Sequence, residues 1–250
     1  MHEELCYLTG REALARFRDR SLSPVELLQA FIERIEKVNP SINALTETYF
    51  DKALVKARQS EARYMKGRPR KLDGLPVAVK DEFRLKGTRR THSSLVFRDQ
   101  VDRETDVIID RLLKAGAICH VKTTTPEFCI LGSTHSRLWG VTRNPWNLDI
   151  TPGGSSGGSG AALAAGMATL ATGTDIGGSV RIPASQCGIV GYKPPYGRNP
   201  EVPVYNLDFY SHSGPMTRSA ADAALMQNVM SGPYNRDICL LYTSPSPRDA

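Results

Sequence analysis

The feature that most constrains the fold is a pair of short apolar runs with an amphipathic segment between them. Residues 75–79 form a continuous apolar run, as expected for a strand that is buried on both faces of a sheet. Residues 106–114 repeat at helical period, Gly116 ends that pattern, and residues 117–121 form the second apolar run. A helix joined to a strand through a glycine predicts an α/β fold with a mixed, largely parallel twisted sheet and helices on both faces.

The first seventy residues are predicted to form an N-terminal helical layer of the same domain. The sequence SPVE at 23–26 is a capping box with proline at the first helical position. We expect that helix to end at Asn39-Pro40 and a second helix to cover roughly residues 49–65. We assign the core of the domain to residues 71–237.

The composition describes an ordinary globular chain and sets limits on its partners. The 250 residues include 32 Lys and Arg against 26 Asp and Glu, which gives a net charge of +6. That excess is spread along the chain without a dense basic run that interleaves aromatic residues, so we expect no direct contact with nucleic acid. The longest run of small apolar residues, 161–171, is too short to span a bilayer, so no membrane association is expected.

The cysteines and the N-terminal residues indicate a reducing compartment. The five cysteines are scattered, without the close spacing of a disulfide framework or of a zinc motif. The first residues are acidic and lack the basic and apolar regions of a signal peptide. We therefore expect a cytoplasmic protein that binds no metal. Residues 238–250 show no periodicity, and we interpret them as a non-native tail.

Two runs rich in glycine and serine carry the chemistry. Residues 151–160 and 173–181 flank an alanine-rich segment at 161–166, which is predicted to form a helix, and they are embedded in apolar sequence, which argues against a flexible linker. No glycine directly precedes a lysine and no G-x-G-x-x-G occurs, so the phosphate-binding patterns are absent. Residues 153–157 match the G-x-S-x-G nucleophile elbow, but only His212 lies downstream to complete it. A serine nucleophile whose base is not histidine remains.

Ser179 and Lys80 are the candidate nucleophile and base. Ser179 follows the sequence DIGG at 175–178, where glycines let successive backbone N–H groups converge on one point. Acyl transfer requires such donors where an oxyanion develops, and each stabilises the transition state by about 2.7–4 kcal/mol. Lys80 follows the first apolar run, where burial can keep a lysine neutral.

Several segments of the sequence resemble the amidase signature family. They are residues 74–81, 153–159, 173–185, 191–194 and 214–218. They keep the order and spacing of the family from roughly residue 8 to residue 237. The resemblance implies the α/β fold of that family, an amidase activity and no metal or organic cofactor.

The resemblance also implies a role for each candidate residue. Ser179 is the implied nucleophile, Ser155 the bridging serine held after a cis peptide bond, and Lys80 the base that acts through Ser155. The implied oxyanion hole consists of the backbone N–H groups of Ile176, Gly177, Gly178 and Ser179. The implied supporting residues are Ser156 in the hydrogen-bond network, the Asp175–Arg181 pair that shapes the glycine turn, and Cys129 as a small apolar wall of the acyl pocket.

The reaction that the resemblance implies is hydrolysis of a carboxylic amide, a small-molecule substrate, to an acid and ammonia or an amine through an acyl-enzyme. Two alternatives stay open. One is the glutaminase subunit of a tRNA-dependent amidotransferase, which shares this signature and works with partner subunits. The other is a non-catalytic binding or scaffold member of the family. For the amidase a homodimer is possible, whereas the amidotransferase alternative implies partner subunits.

The family domain is nearly twice as long as this chain, so the resemblance implies that a natural chain continues beyond about residue 237. The 250 residues then carry every residue of the implied triad but leave strand edges and apolar surface uncovered. We expect this chain to be inactive or poorly soluble, and brisk turnover of a simple aryl amide would contradict that expectation.

Overall fold

The computed structural model describes residues 3–203, 205–237 and 240, which form seven helices and eight strands besides short 3₁₀ helices. The helices are α1 (Gly10–Asp19), α2 (Pro24–Ile42), α3 (Phe50–Met65), α4 (Val107–Lys114), α5 (Gly157–Ala164), α6 (Arg181–Cys187) and α7 (Ala220–Met230). The strands are β1 (Leu45–Thr48), β2 (Pro76–Lys80), β3 (Ile118–Thr123), β4 (His135–Ser136), β5 (Gly140–Val141), β6 (Leu170–Asp175), β7 (Val190–Gly191) and β8 (His212–Thr217). The tail interpreted as non-native, 238–250, lies outside the described residues except for Leu240.

In the part of the chain that the structure describes, six strands form one sheet in the order β1-β3-β2-β6-β8-β7. The central strands β3, β2 and β6 are parallel, whereas the outer pairs β1–β3, β6–β8 and β8–β7 are antiparallel. Strands β4 and β5 form a separate antiparallel pair. The mixed α/β fold is confirmed, and its parallel part consists of the central strands.

Strand β2 shows how helices cover both faces of the sheet. All five of its residues are buried, as the continuous apolar run predicts. Val77 and Val79 pack in a cluster with side chains of α1, α4 and α7, whereas Ala78 packs in a different cluster with α5. Alternate residues of a strand point to opposite faces of the sheet, so helices lie against both faces of β2.

The N-terminal part of the chain differs from the prediction in two places. Helix α2 continues to Ile42, beyond Pro40, so the expected end at Asn39-Pro40 was wrong. Pro40 lies in the last turn, where its missing N–H removes one bond, and Asn43 in the left-handed conformation ends the helix. The first seventy residues are also not all helical, because the four-residue strand β1 pairs with β3 and extends the sheet.

Helix α5 begins earlier than its alanine-rich segment predicts. Its first residue is Gly157, so the helix starts inside the glycine-rich run rather than at residue 161. Close packing explains the glycines, because a Cβ on Gly158 would lie 2.4 Å from the backbone nitrogen of Thr124. Glycine therefore lets the start of α5 lie directly against the chain that leaves β3.

Asp222 in α7 joins the last helix to the first. Its carboxylate accepts hydrogen bonds from the backbone N–H groups of Gly10 at 2.8 Å and Arg11 at 3.0 Å. These N–H groups are at the start of α1, where they have no partner within the helix and where negative charge is favourable. The contact connects two helices that are far apart in sequence and lie on the same face of the sheet.

Candidate active site

The candidate residues meet at the edge of the sheet where the parallel strands end. Lys80 is the last residue of β2, Thr123 the last residue of β3 and Asp175 the last residue of β6. The carboxyl ends of adjacent parallel strands lie side by side, and ligands of open α/β sheets bind outside these ends. The sheet topology therefore brings Lys80 close to segments that are distant in sequence.

The Lys80 side chain is fully buried and its amino group has three oxygen partners. Nζ lies 2.7 Å from Ser155 Oγ and 2.7 Å from Thr174 Oγ1. The third partner is Glu82 Oε2, at 3.0 Å. These partners satisfy the amino group away from bulk water, as a buried polar group requires.

Ser155 lies in a tightly held backbone segment. The peptide bond between Gly154 and Ser155 is cis, as the resemblance implied. A Cβ on Gly154 would lie 2.6 Å from the carbonyl oxygen of Leu131, so no larger residue fits at that position. Ser156 donates its backbone N–H to the carbonyl oxygen of Ser179 at 3.1 Å. That bond places the backbone of Ser179 beside the segment that carries Ser155.

The hydroxyl of Ser156 connects the same segment to strand β6. Its Oγ lies 3.4 Å from the backbone nitrogen of Thr174 and 3.5 Å from the Thr174 carbonyl oxygen. Within the described residues no hydrogen bond of Ser156 reaches Lys80 or Ser155. Ser156 therefore supports the backbone of Thr174, whose hydroxyl contacts Lys80, and makes no hydrogen bond to the lysine itself.

Asp175 organises the glycine turn. Its buried carboxylate accepts the backbone N–H groups of Gly178 at 2.7 Å and Val180 at 3.2 Å. Arg181 donates to both carboxylate oxygens at 2.9 Å, which is the predicted pair, and Lys193 Nζ lies 3.4 Å away. Burial by itself would raise the pKa of Asp175, but the hydrogen bonds from Arg181 and the backbone outweigh it and hold that pKa well below its usual range.

One of the implied oxyanion donors is already occupied. The Gly178 N–H donates to Asp175, so Gly178 was wrong as a free donor to an oxyanion. Among the residues that the structure describes, the N–H groups of Ile176, Gly177 and Ser179 have no hydrogen-bond acceptor. Ile176 and Gly177 are also exposed, so a bound carbonyl oxygen can reach them.

The Ser179 side chain is partly exposed and lies on the same turn. Its hydroxyl has no hydrogen-bond partner in the described part of the chain, and so no hydrogen bond joins it to Ser155 or Lys80. Catalytic hydrogen bonds are often long or poorly aligned before substrate binds, and a serine side chain has three staggered rotamers. The structure thus brings Lys80 and Ser155 into contact and leaves the Ser179 hydroxyl free.

Cys129 lies near Glu82, and its thiol has the features of a structural residue rather than of a nucleophile. It ends the short 3₁₀ helix Glu127–Cys129, and its Sγ is 3.0 Å from Thr125 Oγ1. Burial, with a smaller contribution from the charge of Glu82, raises the pKa of the thiol to about 12. A thiol that stays protonated is a weak nucleophile, which supports the role of Cys129 as a wall.

Glu82 and Thr174 contact Lys80 but were not identified from the sequence. The Thr174 hydroxyl donates to Glu82 and accepts from Lys80. Burial alone would raise the pKa of Glu82, but the charge of Lys80 and the Thr174 hydroxyl hold it below its usual value. No spacing in the sequence indicates this contact, because the chain turns directly after β2, where the Phe83 N–H donates to the Lys80 carbonyl oxygen at 3.0 Å and Glu82 lies in the turn. Burial is therefore not the only influence on the charge of Lys80.

Asp81 points into a buried network behind the site. Its carboxylate lies 3.3 Å from Lys122 Nζ and accepts the backbone N–H of Thr91 at 3.1 Å. Lys122 also donates to the carbonyl oxygen of Arg89 at 2.6 Å. A buried ion pair persists when further hydrogen bonds satisfy both partners, as they do here. The network fixes the backbone between Lys80 and Glu82.

A cavity of about 200 Å³ adjoins the site. Its lining includes Glu82 and Thr174, together with Arg90, His92 and Glu201. Burial raises the pKa of Glu201 to about 8.

Across the residues that the structure describes, no group of three or more His, Cys, Asp or Glu is arranged to hold a metal ion. None of the helices in these residues has the length and apolar character needed to cross a membrane.

Comparison with known proteins gives matches over nearly the whole chain. A family model described as Amidase matches residues 26–248. A glutamyl-tRNA(Gln) amidotransferase subunit from Coxiella burnetii (strain Dugway 5J108-111) is 41% identical over 241 residues, which are 95% of this chain and 48% of that protein. The chain therefore spans about half the length of the curated relatives that it matches.

Solved structures also match nearly the whole of this chain and about half of their own length. The peptide amidase from Stenotrophomonas maltophilia is similar with a TM-score of 0.89 and 30% identity, over 95% of this chain and 50% of its own. A bacterial aryl acylamidase that belongs to the amidase signature enzymes is similar with a TM-score of 0.88 and 33% identity, over 92% of this chain and 49% of its own.

Proposed function

Because the chain belongs to the amidase signature family, whose members are amidohydrolases that act on C–N bonds, we propose that it belongs to an amidase with an acyl-enzyme intermediate on Ser179. The substrate is a small carboxylic amide, and the products are the acid and ammonia or an amine. The observation that carries this proposal is the 2.7 Å contact between Lys80 Nζ and Ser155 Oγ beside the turn that carries Ser179.

The reaction begins when Ser179 Oγ attacks the carbonyl carbon of the amide. Its proton passes to Ser155 Oγ, and the proton of Ser155 passes to the neutral amine of Lys80. The carbonyl oxygen becomes an oxyanion next to the free N–H groups of the glycine turn, each of which stabilises it by about 2.7–4 kcal/mol. The same protons return along the relay to the leaving nitrogen, and water then hydrolyses the acyl-enzyme.

The arrangement of the site supports this assignment of roles. Ser155 is buried between Lys80 and the backbone of the glycine turn, so it is placed to relay a proton but not to meet a substrate. Ser179 is partly exposed on the turn that carries the free N–H groups, so a substrate carbonyl can reach its hydroxyl. The four described cysteines are free thiols, which supports the cytoplasmic location that we propose.

A fluorophosphonate probe reacts with an activated serine without amide turnover or a complete substrate pocket, so it tests the proposed nucleophile even where the 250-residue chain is inactive toward amides. We expect the probe to modify Ser179 of the 250-residue chain and to leave the Ser179→Ala variant unlabelled. The control variant Ser21→Ala should be labelled at the wild-type rate. In Lys80→Ala we expect labelling to slow by several orders of magnitude, because the relay loses its base. Labelling of Ser179→Ala at the wild-type rate would refute the proposed nucleophile.

The second candidate function is the glutaminase reaction of an amidotransferase. It is favoured by the name of the relative with 41% identity, and it would imply partner subunits that receive ammonia. Both functions use the same acyl-enzyme, so the chemistry at Ser179 does not separate them. The two candidate functions are separated by comparing two rates for the complete protein: the release of ammonia from glutamine and the turnover of an aryl amide. Glutamine as the preferred substrate would establish the second candidate.

A further inference from the structure

Three oxygen atoms surround the amino group of Lys80, and one of them belongs to a carboxylate. An ammonium group has three protons and no acceptor, whereas a neutral amine has two protons and one lone pair. The Thr174 hydroxyl donates its only proton to Glu82, so it accepts from Lys80. Ser155 and Glu82 take the other two protons, at 2.7 and 3.0 Å. Each of the three oxygen atoms is placed to accept one proton of an ammonium group, and the Glu82 carboxylate is the partner that favours the charged form.

The other groups on the open side of this pair are largely neutral near pH 7. Burial, with a smaller contribution from Arg90, lowers the pKa of His92, and burial raises the pKa of the Cys129 thiol to about 12. Burial also raises the pKa of Tyr205 and, to about 8, the pKa of Glu201. Glu82 is therefore the carboxylate that faces Lys80 in its charged form.

The remaining charges near the pair are compensated by partners of their own. Arg90 pairs with Asp102 at 2.9 Å on the open side. Behind the site Asp81 pairs with Lys122 at 3.3 Å. In the salt bridges of the described residues Lys80 pairs with Glu82 alone. An opposite charge within about 4–6 Å favours the charged form of an ionisable group.

We propose that Glu82 is a positioning residue that acts as the counter-ion of Lys80 and holds it as an ammonium in the resting site, so that Lys80 must lose this proton before it can act as a base. This inference rests on the proposed function of Lys80. Activation is the loss of one proton from the ammonium to water or hydroxide, which leaves a neutral amine with a lone pair for the proton of Ser155. During acylation the ammonium forms again, and the Glu82 carboxylate stabilises it.

Two titrations of the 250-residue chain test the proposal. The first follows the Lys80 Nζ signal by NMR with isotope-labelled lysine, assigned by its loss in Lys80→Ala. The second follows the pH dependence of fluorophosphonate labelling at Ser179. In Glu82→Gln we expect the midpoints of both titrations to fall by about 1–3 pH units, because the amide removes the opposite charge and keeps the shape. In Glu82→Asp, which keeps the charge, we expect the NMR midpoint to remain close to that of the wild type.

The control variant is Glu104→Gln, which removes a carboxylate at the exposed surface and should leave both midpoints unchanged. Equal NMR midpoints in the wild type and in Glu82→Gln would overturn the proposal. A wild-type Lys80 that is already neutral at pH 7 would overturn it without any variant. If Ser179 is never labelled while the NMR midpoint still shifts, the proposed function fails and the counter-ion role of Glu82 stands.

Discussion

Glu201 is a carboxyl group whose protonation is coupled to folding. One carboxyl oxygen accepts the backbone N–H of Ser213 at 2.6 Å, and the residue lines the cavity beside Glu82. Burial raises the pKa of Glu201 to about 8, above the ordinary value of a glutamate. The folded chain therefore keeps this proton at pH values where the unfolded chain has released it.

The consequence is a loss of stability as the pH rises. Between the ordinary pKa of glutamate and a pKa of about 8 the folded state holds one more proton than the unfolded state, so the free energy of unfolding decreases with increasing pH. We expect Glu201→Gln to remove most of this dependence between about pH 5 and pH 8. Urea unfolding of both proteins at several pH values measures it. A parallel pH dependence in the two proteins would show that Glu201 does not contribute.

The sequence predicted some residues of the site better than others. Lys80 and Ser155 are in contact as the resemblance implied, because their segments are fixed by the order of strands and the glycine-rich runs. Glu82 was missed because its contact with Lys80 depends on the direction in which the chain turns after β2. The role of Gly178 was wrong because Asp175 turns back to accept its N–H, which no spacing in the sequence reveals.

At the level of elements, the β2, α4 and β3 unit was predicted from apolar periodicity and one glycine, and the structure contains all three. Burial on both faces makes such strands visible as continuous apolar runs. Strand β1 was missed because it has four residues and only one of them is buried. The start of α5 was missed because glycine has low helix propensity, and close packing against Thr124 overrides that preference.

The packing of α5 provides a test at this scale. In Gly158→Ala the new Cβ would lie 2.4 Å from the backbone nitrogen of Thr124, where neither backbone can move freely. We expect a loss of about 1–3 kcal/mol in the free energy of unfolding, although alanine is the better helix former. The matched control is Gly132→Ala, whose Cβ has no atom within 4 Å. Equal stabilities of the two variants in urea would contradict this account of the glycine run.

At the level of the whole molecule, the described chain holds together through contacts between its first and last helices as well as through the sheet. Asp222 connects α7 to the first N–H groups of α1 and is 1% exposed. The division into a helical layer at 1–70 and a core at 71–237 stays a prediction. The helices on both sides of residue 70 nevertheless share one apolar cluster with β2.

The Asp222 contact predicts a stability effect that local sequence would not suggest. In Asp222→Ala the two N–H groups of α1 lose a charged acceptor, and we expect the free energy of unfolding to fall by about 1.5–3 kcal/mol. Asp110→Ala serves as the control, since it removes an exposed carboxylate that pairs with Lys114 at 2.6 Å. That change should cost about 0.5 kcal/mol or less. A loss for Asp222→Ala no larger than the control would show that the contact contributes little.

The central claim is that Lys80 acts on Ser179 through Ser155, and a double-mutant cycle measures it most directly. The rate of fluorophosphonate labelling at Ser179 is compared in Lys80→Ala, in Ser155→Ala and in the double variant. Groups that act as one unit are not additive, so we predict that each variant labels about 10²–10⁴-fold more slowly than the wild type and that the double variant is no slower than the singles. Independent effects that multiply in the double variant, or a Lys80→Ala protein that labels at the wild-type rate, would contradict the account.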